Sequence, residues 1–141
     1  MLKTINPLLT GELLAILADM GHGDEIVIAD ANFPAVTVAE RLIQMPGIDA
    51  SSVVEAVLSL MPLDDFVDFP AAVMDAPGDR PTIYAEFETI IESAEKRRIP
   101  LEPIDRFAFY DRSKTAFAVV STGERRLYGN IILKKGVVRP E

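Results

Sequence analysis

Ile26-Val27-Ile28-Ala29 is a short apolar run closed by Asp30. It is too short for a helix, and it is apolar on both faces where a half-exposed strand would alternate. Such a run reads as a buried, parallel strand. Just upstream, Leu13, Leu14, Ile16, Leu17 and Met20 recur at helical spacing. Thr10 is placed to cap that helix, Glu12 suits its positive end, and Gly21 is placed to stop it. Downstream, Phe33-Pro34 turns the chain, and Arg41 to Met45 reads as a second strand closed by Pro46-Gly47. Asp49 or Ser51 can cap a helix carrying Val53, Val54, Val57, Leu58 and Met61, which ends near Pro62. Ala71 to Met74 reads as another strand. Asp79 and Pro81 open a helix with Ile83, Phe87, Ile90, Ile91 and Ala94 on one face and Glu88, Glu92 and Lys96 on the other. The segment from Ile104 to Tyr110 fits no element. Phe117 to Ser121 and Asn130 to Leu133 read as the last two strands. Helices and strands thus alternate, which predicts one α/β domain over residues 1–141. The expected architecture is a three-layer sandwich on a mostly parallel sheet, with an antiparallel pair at the C-terminal end.

Composition narrows what such a domain does. The chain has 141 residues, with 49% hydrophobic and 26% charged side chains, which is a folded globular composition. It has no cysteine, so disulfides, thiolate nucleophiles and cysteine metal sites are excluded. A single histidine excludes a multi-histidine metal site within one chain. The formal net charge of −8 argues against nucleic acid and anionic membranes as partners. Residues 1–95 carry −14 and residues 96–141 carry +6, so the two parts should attract within one fold or between subunits. No signal-peptide core or membrane-length apolar run is present, and a cytoplasmic location is expected.

Few residues are left for chemistry. His22 lies between Gly21 and Gly23 in the turn before the apolar strand, with Asp24 next to it. An imidazole there suits proton transfer near neutral pH, or is simply exposed at a helix end. Asp30 ends a strand, where α/β sheets collect ligands. It could accept hydrogen bonds from sugar hydroxyls, orient an imidazole, or form an Asx-turn with its own backbone. Arg106 stands among Phe107, Phe109 and Tyr110, a set that fits either a sugar or anion site or the core. Tyr128-Gly129-Asn130 offers donors and acceptors for a neutral polyol, or is only a turn. Lys134 and Lys135 read as charges protecting an edge strand. Neither a nucleotide loop nor a Ser/His/Asp triad can be built. The inventory suits binding a neutral polar ligand and moving protons on it.

Several separated motifs resemble the RbsD/FucU family of D-ribose pyranase and L-fucose mutarotase. They are Met1-Leu2-Lys3, Gly21-His22-Gly23-Asp24, Asp30 with Phe33-Pro34, Arg106-Phe107-Ala108-Phe109-Tyr110, Thr122-Gly123-Glu124, and Tyr128-Gly129-Asn130-Ile131-Ile132-Leu133 with Gly136. The stretch from Arg106 to Tyr110 looks closer to the fucose branch. The resemblance implies an RbsD-like sandwich and an isomerase that interconverts anomers of a free monosaccharide without metal or cofactor. It implies a ring-shaped homo-oligomer, such as a decamer, with sites near subunit contacts. It matches His22 to the family's catalytic histidine, and Asp30, Arg106, Tyr128 and Asn130 to its sugar-contacting positions. Gly129 is expected in the sugar site beside them, and Tyr128 or Asp30 is expected to complete the catalytic proton relay. His22 is expected as proton donor, with Asp30 also fixing its tautomer. The chain departs at Asn32, where the fucose branch usually carries a second histidine, so the preferred sugar stays open. Ribose pyranase activity and a non-catalytic sugar-binding subunit are the alternatives.

Overall fold

The computed structural model describes all 141 residues. Five helices and six strands follow in the order α1 (Gly11–Asp19), β1 (Glu25–Ala29), α2 (Ala35–Val38), β2 (Leu42–Met45), α3 (Ala50–Leu58), β3 (Ala71–Met74), α4 (Thr82–Glu95), β4 (Glu102–Ile104), α5 (Arg106–Thr115), β5 (Ala118–Thr122) and β6 (Ile131–Lys134). The strands form one sheet in the order β2-β5-β1-β6-β3-β4. β1 pairs parallel with β5, setting Val27 opposite Val119. On its other side it pairs antiparallel with β6, setting Val27 opposite Ile132. With strands on both edges and a layer of helices over each face, β1 has no wet side. That is why Ile26 to Ala29 are all apolar and fully buried.

Strand alternation divides the core in two. Ile26, Ile28, Val120, Ile131 and Leu133 point to one side, under Leu13, Val54, Val57, Phe87 and Ile91 of α1, α3 and α4. Val27, Ala29, Val119 and Ile132 point to the other, under Phe33, Val38 and Phe109 on and around α2 and α5. The three layers expected from the alternation of elements are present. The local caps are present too. Thr10 Oγ1 accepts from Leu13 N–H, and Asp49 Oδ1 accepts from Ser52 N–H.

Several details differ from the sequence expectation. β5 and β6 do not pair; β6 instead runs antiparallel between β1 and β3. The last strand is therefore interior, and Lys134 and Lys135 guard no edge. Lys135 Nζ donates to the carbonyls of Leu17 (2.7 Å) and Met20 (2.5 Å), neutralising the C-terminal end of α1. The helix is closed by Met20, one residue before Gly21. Ile104 to Tyr110, which fitted no element, spans the end of edge strand β4 and the start of α5. Pro103 is tolerated because β4 pairs on one side only. Only Phe109 and Ser113 of α5 are buried, so its sequence carries no apolar period. Glu88 pairs with Arg80 at 2.6 Å, while Lys96 caps α4 in a left-handed conformation (φ 59°). The charge imbalance between the two parts of the chain is met inside the fold. Arg112 pairs with Glu25, Arg126 with Glu86, and Arg139 with Asp65.

Gly123 lies where the chain leaves β5 and runs against the loop after β2. A Cβ there would sit 2.1 Å from the Pro46 carbonyl oxygen, whereas one at Gly47 would meet nothing within 4 Å. Gly123→Ala should cost at least about 1–3 kcal/mol, because backbone has to move. Gly47→Ala should stay within about 1 kcal/mol of the parent. Urea denaturation of the two variants checks the contrast.

Candidate active site

A cleft of about 240 Å³ opens where β1 ends and β6 begins. That is smaller than the roughly 300–1,000 Å³ of ordinary ligand pockets, so it takes something small. Asp30, Asn32, Arg106, Tyr128 and Asn130 supply its polar wall, and Phe33, Met74, Tyr110 and Leu127 its apolar wall. The carboxylate of Asp30 is at the back, 6% exposed. Its Oδ1 accepts from Asn32 N–H at 2.9 Å and its Oδ2 from Asn130 Nδ2 at 3.0 Å. Asn130 Oδ1 in turn accepts from Asp30 N–H at 2.6 Å. Asp30 is thus an Asx-turn residue and a cleft carboxylate at once. Burial pushes its pKa above the usual carboxylate value. The hydrogen bonds from Asn32 and Asn130 oppose that shift, and nearby Glu124 adds to it.

Arg106 is the first residue of α5, capped by Asp105, and its guanidinium lies 4.9 Å from the Phe107 ring centroid. The aromatic cluster beside it splits. Phe109 is core, Tyr110 lines the cleft, and Phe107 is exposed. Tyr128 is half-buried with φ 62°, in the left-handed region that non-glycine residues seldom occupy. Gly129 does not line the cleft. It packs inward, where a Cβ would fall 2.7 Å from Glu124 Cγ.

His22 is not in this cleft. It precedes β1 and Asp30 follows it, so a rise of about 3.3 Å per residue sets the two ends roughly 17 Å apart. Asp30 therefore does not fix the tautomer of this imidazole. That partner is Asp64, a residue sequence reading missed. His22 Nε2 lies 2.9 Å from Asp64 Oδ1, with side-chain exposures of 43% and 4%. Asp64 also accepts from Phe66 N–H at 3.1 Å, and the Phe66 ring lies 4.9 Å from the imidazole. The neutral ring donates Nε2–H to the carboxylate and leaves Nδ1 as a free acceptor. Pairing over 42 positions leaves no spacing signal. Exposed Phe66 packs on His22 and is followed by exposed Val67 and Phe69, while exposed Leu127 lines the cleft and exposed Phe107 packs against Tyr110, which also lines it. Both ends of the sheet therefore present apolar surface.

These features define a class: an α/β protein with a small, polar-walled cleft at one end of β1 and a separate imidazole–carboxylate pair at the other. The RbsD / FucU transport protein family matches residues 3–138, and the chain belongs to it. It is 46% identical to the L-fucose mutarotase of Actinobacillus pleuropneumoniae serotype 5b over 140 residues, which cover 97% of each protein. It is 49% identical to the human fucose mutarotase over 146 residues, covering 97% of this chain and 94% of that one. The crystal structure of the fucose mutarotase from Streptococcus pneumoniae in complex with L-fucose superposes with a TM-score of 0.93 at 43% identity. The match covers 98% of this chain and all of the other.

The raised Asp30 pKa has a stability consequence. The folded state favours the neutral carboxyl, so this contribution is full below the unfolded pKa of about 3.9 and is lost as pH rises through the native value. Asp30→Asn cannot ionise. Its Tm relative to the parent should therefore be higher at pH 7.5 than at about pH 4. Thermal unfolding at both pH values measures this difference.

Proposed function

We propose that this protein is a cofactor-independent mutarotase that interconverts the α and β anomers of free L-fucose. We place it in the cytoplasm, in keeping with a sequence without cysteine. The observation that carries the reading is the joined set of Asp30, Asn130, Arg106 and Tyr128 in one monosaccharide-sized cleft. Near-full-length similarity to fucose mutarotases supports it. Asp30, Asn130 and Arg106 hold sugar hydroxyls. The apolar wall of Phe33, Met74, Tyr110 and Leu127 suits the methyl group on C5 of a 6-deoxy sugar.

Ring opening breaks the bond between C1 and the ring oxygen. The anomeric hydroxyl gives up its proton, and the ring oxygen gains one. The aldehyde rotates, and reversal of both transfers closes the other anomer. No net redox change occurs. Tyr128 is the cleft group that donates to the ring oxygen and later recovers its proton. His22, with Nδ1 free, accepts the anomeric proton and returns it. This makes His22 the acceptor in the opening step, where the sequence expectation had it as donor.

His22 cannot reach the cleft of its own chain, so the cleft it serves belongs to a second copy. The proposed contact joins the His22 end of one subunit to the cleft end of the next; it is heterologous, and closes into a ring where the rotation between neighbours closes. The exposed apolar side chains at both ends fit that contact.

Saturation-transfer NMR of anomer exchange tests the assignment. Exchange should accelerate for L-fucose ahead of L-galactose, which carries a hydroxyl on the corresponding methyl, with D-ribose run alongside. His22→Ala should lose about 10²–10⁴-fold in rate with its circular dichroism unchanged. Sugar binding without any acceleration in the parent protein would replace this reading with a binding subunit. Preferred turnover of D-ribose would make it a pyranase.

A further inference from the structure

One buried carboxylate has no part in the mechanism above. Glu124 is 3% exposed and lies beneath the loop that carries Tyr128. Its Oε1 accepts from the backbone N–H and the Nε of Arg126, both at 3.0 Å. Its Oε2 accepts from Arg126 Nη2 at 3.0 Å and from Ala50 N–H, at the start of α3, at 3.3 Å. The Arg126 guanidinium continues outward to the carboxylate of Glu86 on α4. The backbone of Glu124 is held as well. Its carbonyl accepts from Ala31 N–H at 2.8 Å, one residue after Asp30. Its N–H donates to Thr122 Oγ1 at 3.1 Å, and that hydroxyl donates to the Ala29 carbonyl at 2.7 Å. Arg126 holds Glu124 below the usual carboxylate range, so the clamp stays charged through neutral pH.

Tyr128 needs an external hold. Its φ of 62° is disfavoured for a residue with a Cβ, so surrounding contacts have to impose it. Gly129 closes over the Glu124 side chain, with no room for a Cβ between them. Asn130 is tied independently, by its two bonds to Asp30. The stretch between Glu124 and Asn130 is thus fixed at its far end by Asp30 and at its near end by Arg126. Tyr128 is the proton-transfer group in between.

We propose that Glu124, Arg126 and Glu86 form a clamp that holds Tyr128 in its left-handed pose. Glu124 and Arg126 are positioning residues for proton transfer and touch no substrate. The kinetic consequence rests on the function proposed above. Substrate binding is carried by Asp30, Asn130 and Arg106, which the clamp does not hold directly, so its loss acts on kcat and spares KM.

The test uses Glu124→Gln, Arg126→Lys and Glu86→Gln. Glu124→Gln keeps the shape and loses the charge; Arg126→Lys keeps the charge and loses the planar fork. Two readouts are taken on full-length protein: L-fucose exchange, and 19F NMR after 3-fluorotyrosine labelling. The chain has three tyrosines, Tyr84, Tyr110 and Tyr128, and Tyr128→Phe assigns the third line. In folded Glu124→Gln and Arg126→Lys, kcat should fall about 10–100-fold with KM within about threefold. The Tyr128 line should shift or broaden while those of Tyr84 and Tyr110 stay. A lower Tm with unchanged kcat and an unchanged Tyr128 line would overturn the clamp and leave Glu124 a purely structural residue. If Glu124→Gln does not fold, Arg126→Lys and Glu86→Gln carry the same comparison, since both leave the buried carboxylate a hydrogen-bonding neighbour. If the parent protein shows no exchange, the functional reading fails. The fluorine line of Tyr128 then decides the clamp alone.

Discussion

Asp30 and Asn130 bond each other twice, across 100 positions of sequence. Each bond satisfies a buried group that would otherwise cost about 1–3 kcal/mol. Together they fasten the end of β1 to the start of β6, and the cleft forms at that join. They form only because β6, the last strand of the chain, inserts between β1 and β3. Its insertion closes the edge of β1 that β5 leaves open, setting Val27 between Val119 of β5 and Ile132 of β6. Fold and site therefore depend on one long-range event.

Two buried carboxylates near this join are tuned in opposite directions. Asp30 has no cation against it, and burial raises its pKa. Glu124 has Arg126 against it, and its pKa is lowered. The first faces the cleft as a hydrogen-bonding carboxyl; the second is a charge that ties the loop to the start of α3. At the other end of the sheet, Asp64 orients His22 from a buried position and leaves one ring nitrogen free. The cleft side chains and the imidazole are thus built on opposite ends of the same strand, and a single chain cannot bring them together. The exposed aromatics at each end are consistent with a second copy completing the site.

What was legible in the sequence was local. The caps Thr10 and Asp49 act within three residues, and the run from Ile26 to Ala29 needs only its own hydrophobicity to declare itself. Asp30, Arg106, Tyr128 and Asn130 were found as separate candidates, and the cleft does contain all four. What was not legible was pairing at a distance. Nothing near Lys134 says that β6 is interior, and nothing near His22 points to Asp64. α5 has no legible period because it buries only Phe109 and Ser113. Glu124 was visible within a motif, but its role depends on Arg126, Ala50 and Glu86, which meet only in the folded chain.

Each site as proposed takes His22 from one subunit and Tyr128 from another. Complementation addresses it directly. His22→Ala and Tyr128→Phe proteins are each inactive on this account. Dissociated, mixed in equal amounts and reassociated, they should regain anomer exchange at up to about one quarter of the sites, the chance that an intact His22 meets an intact Tyr128. No recovery from a mixture shown to contain mixed oligomers would contradict a site shared between subunits.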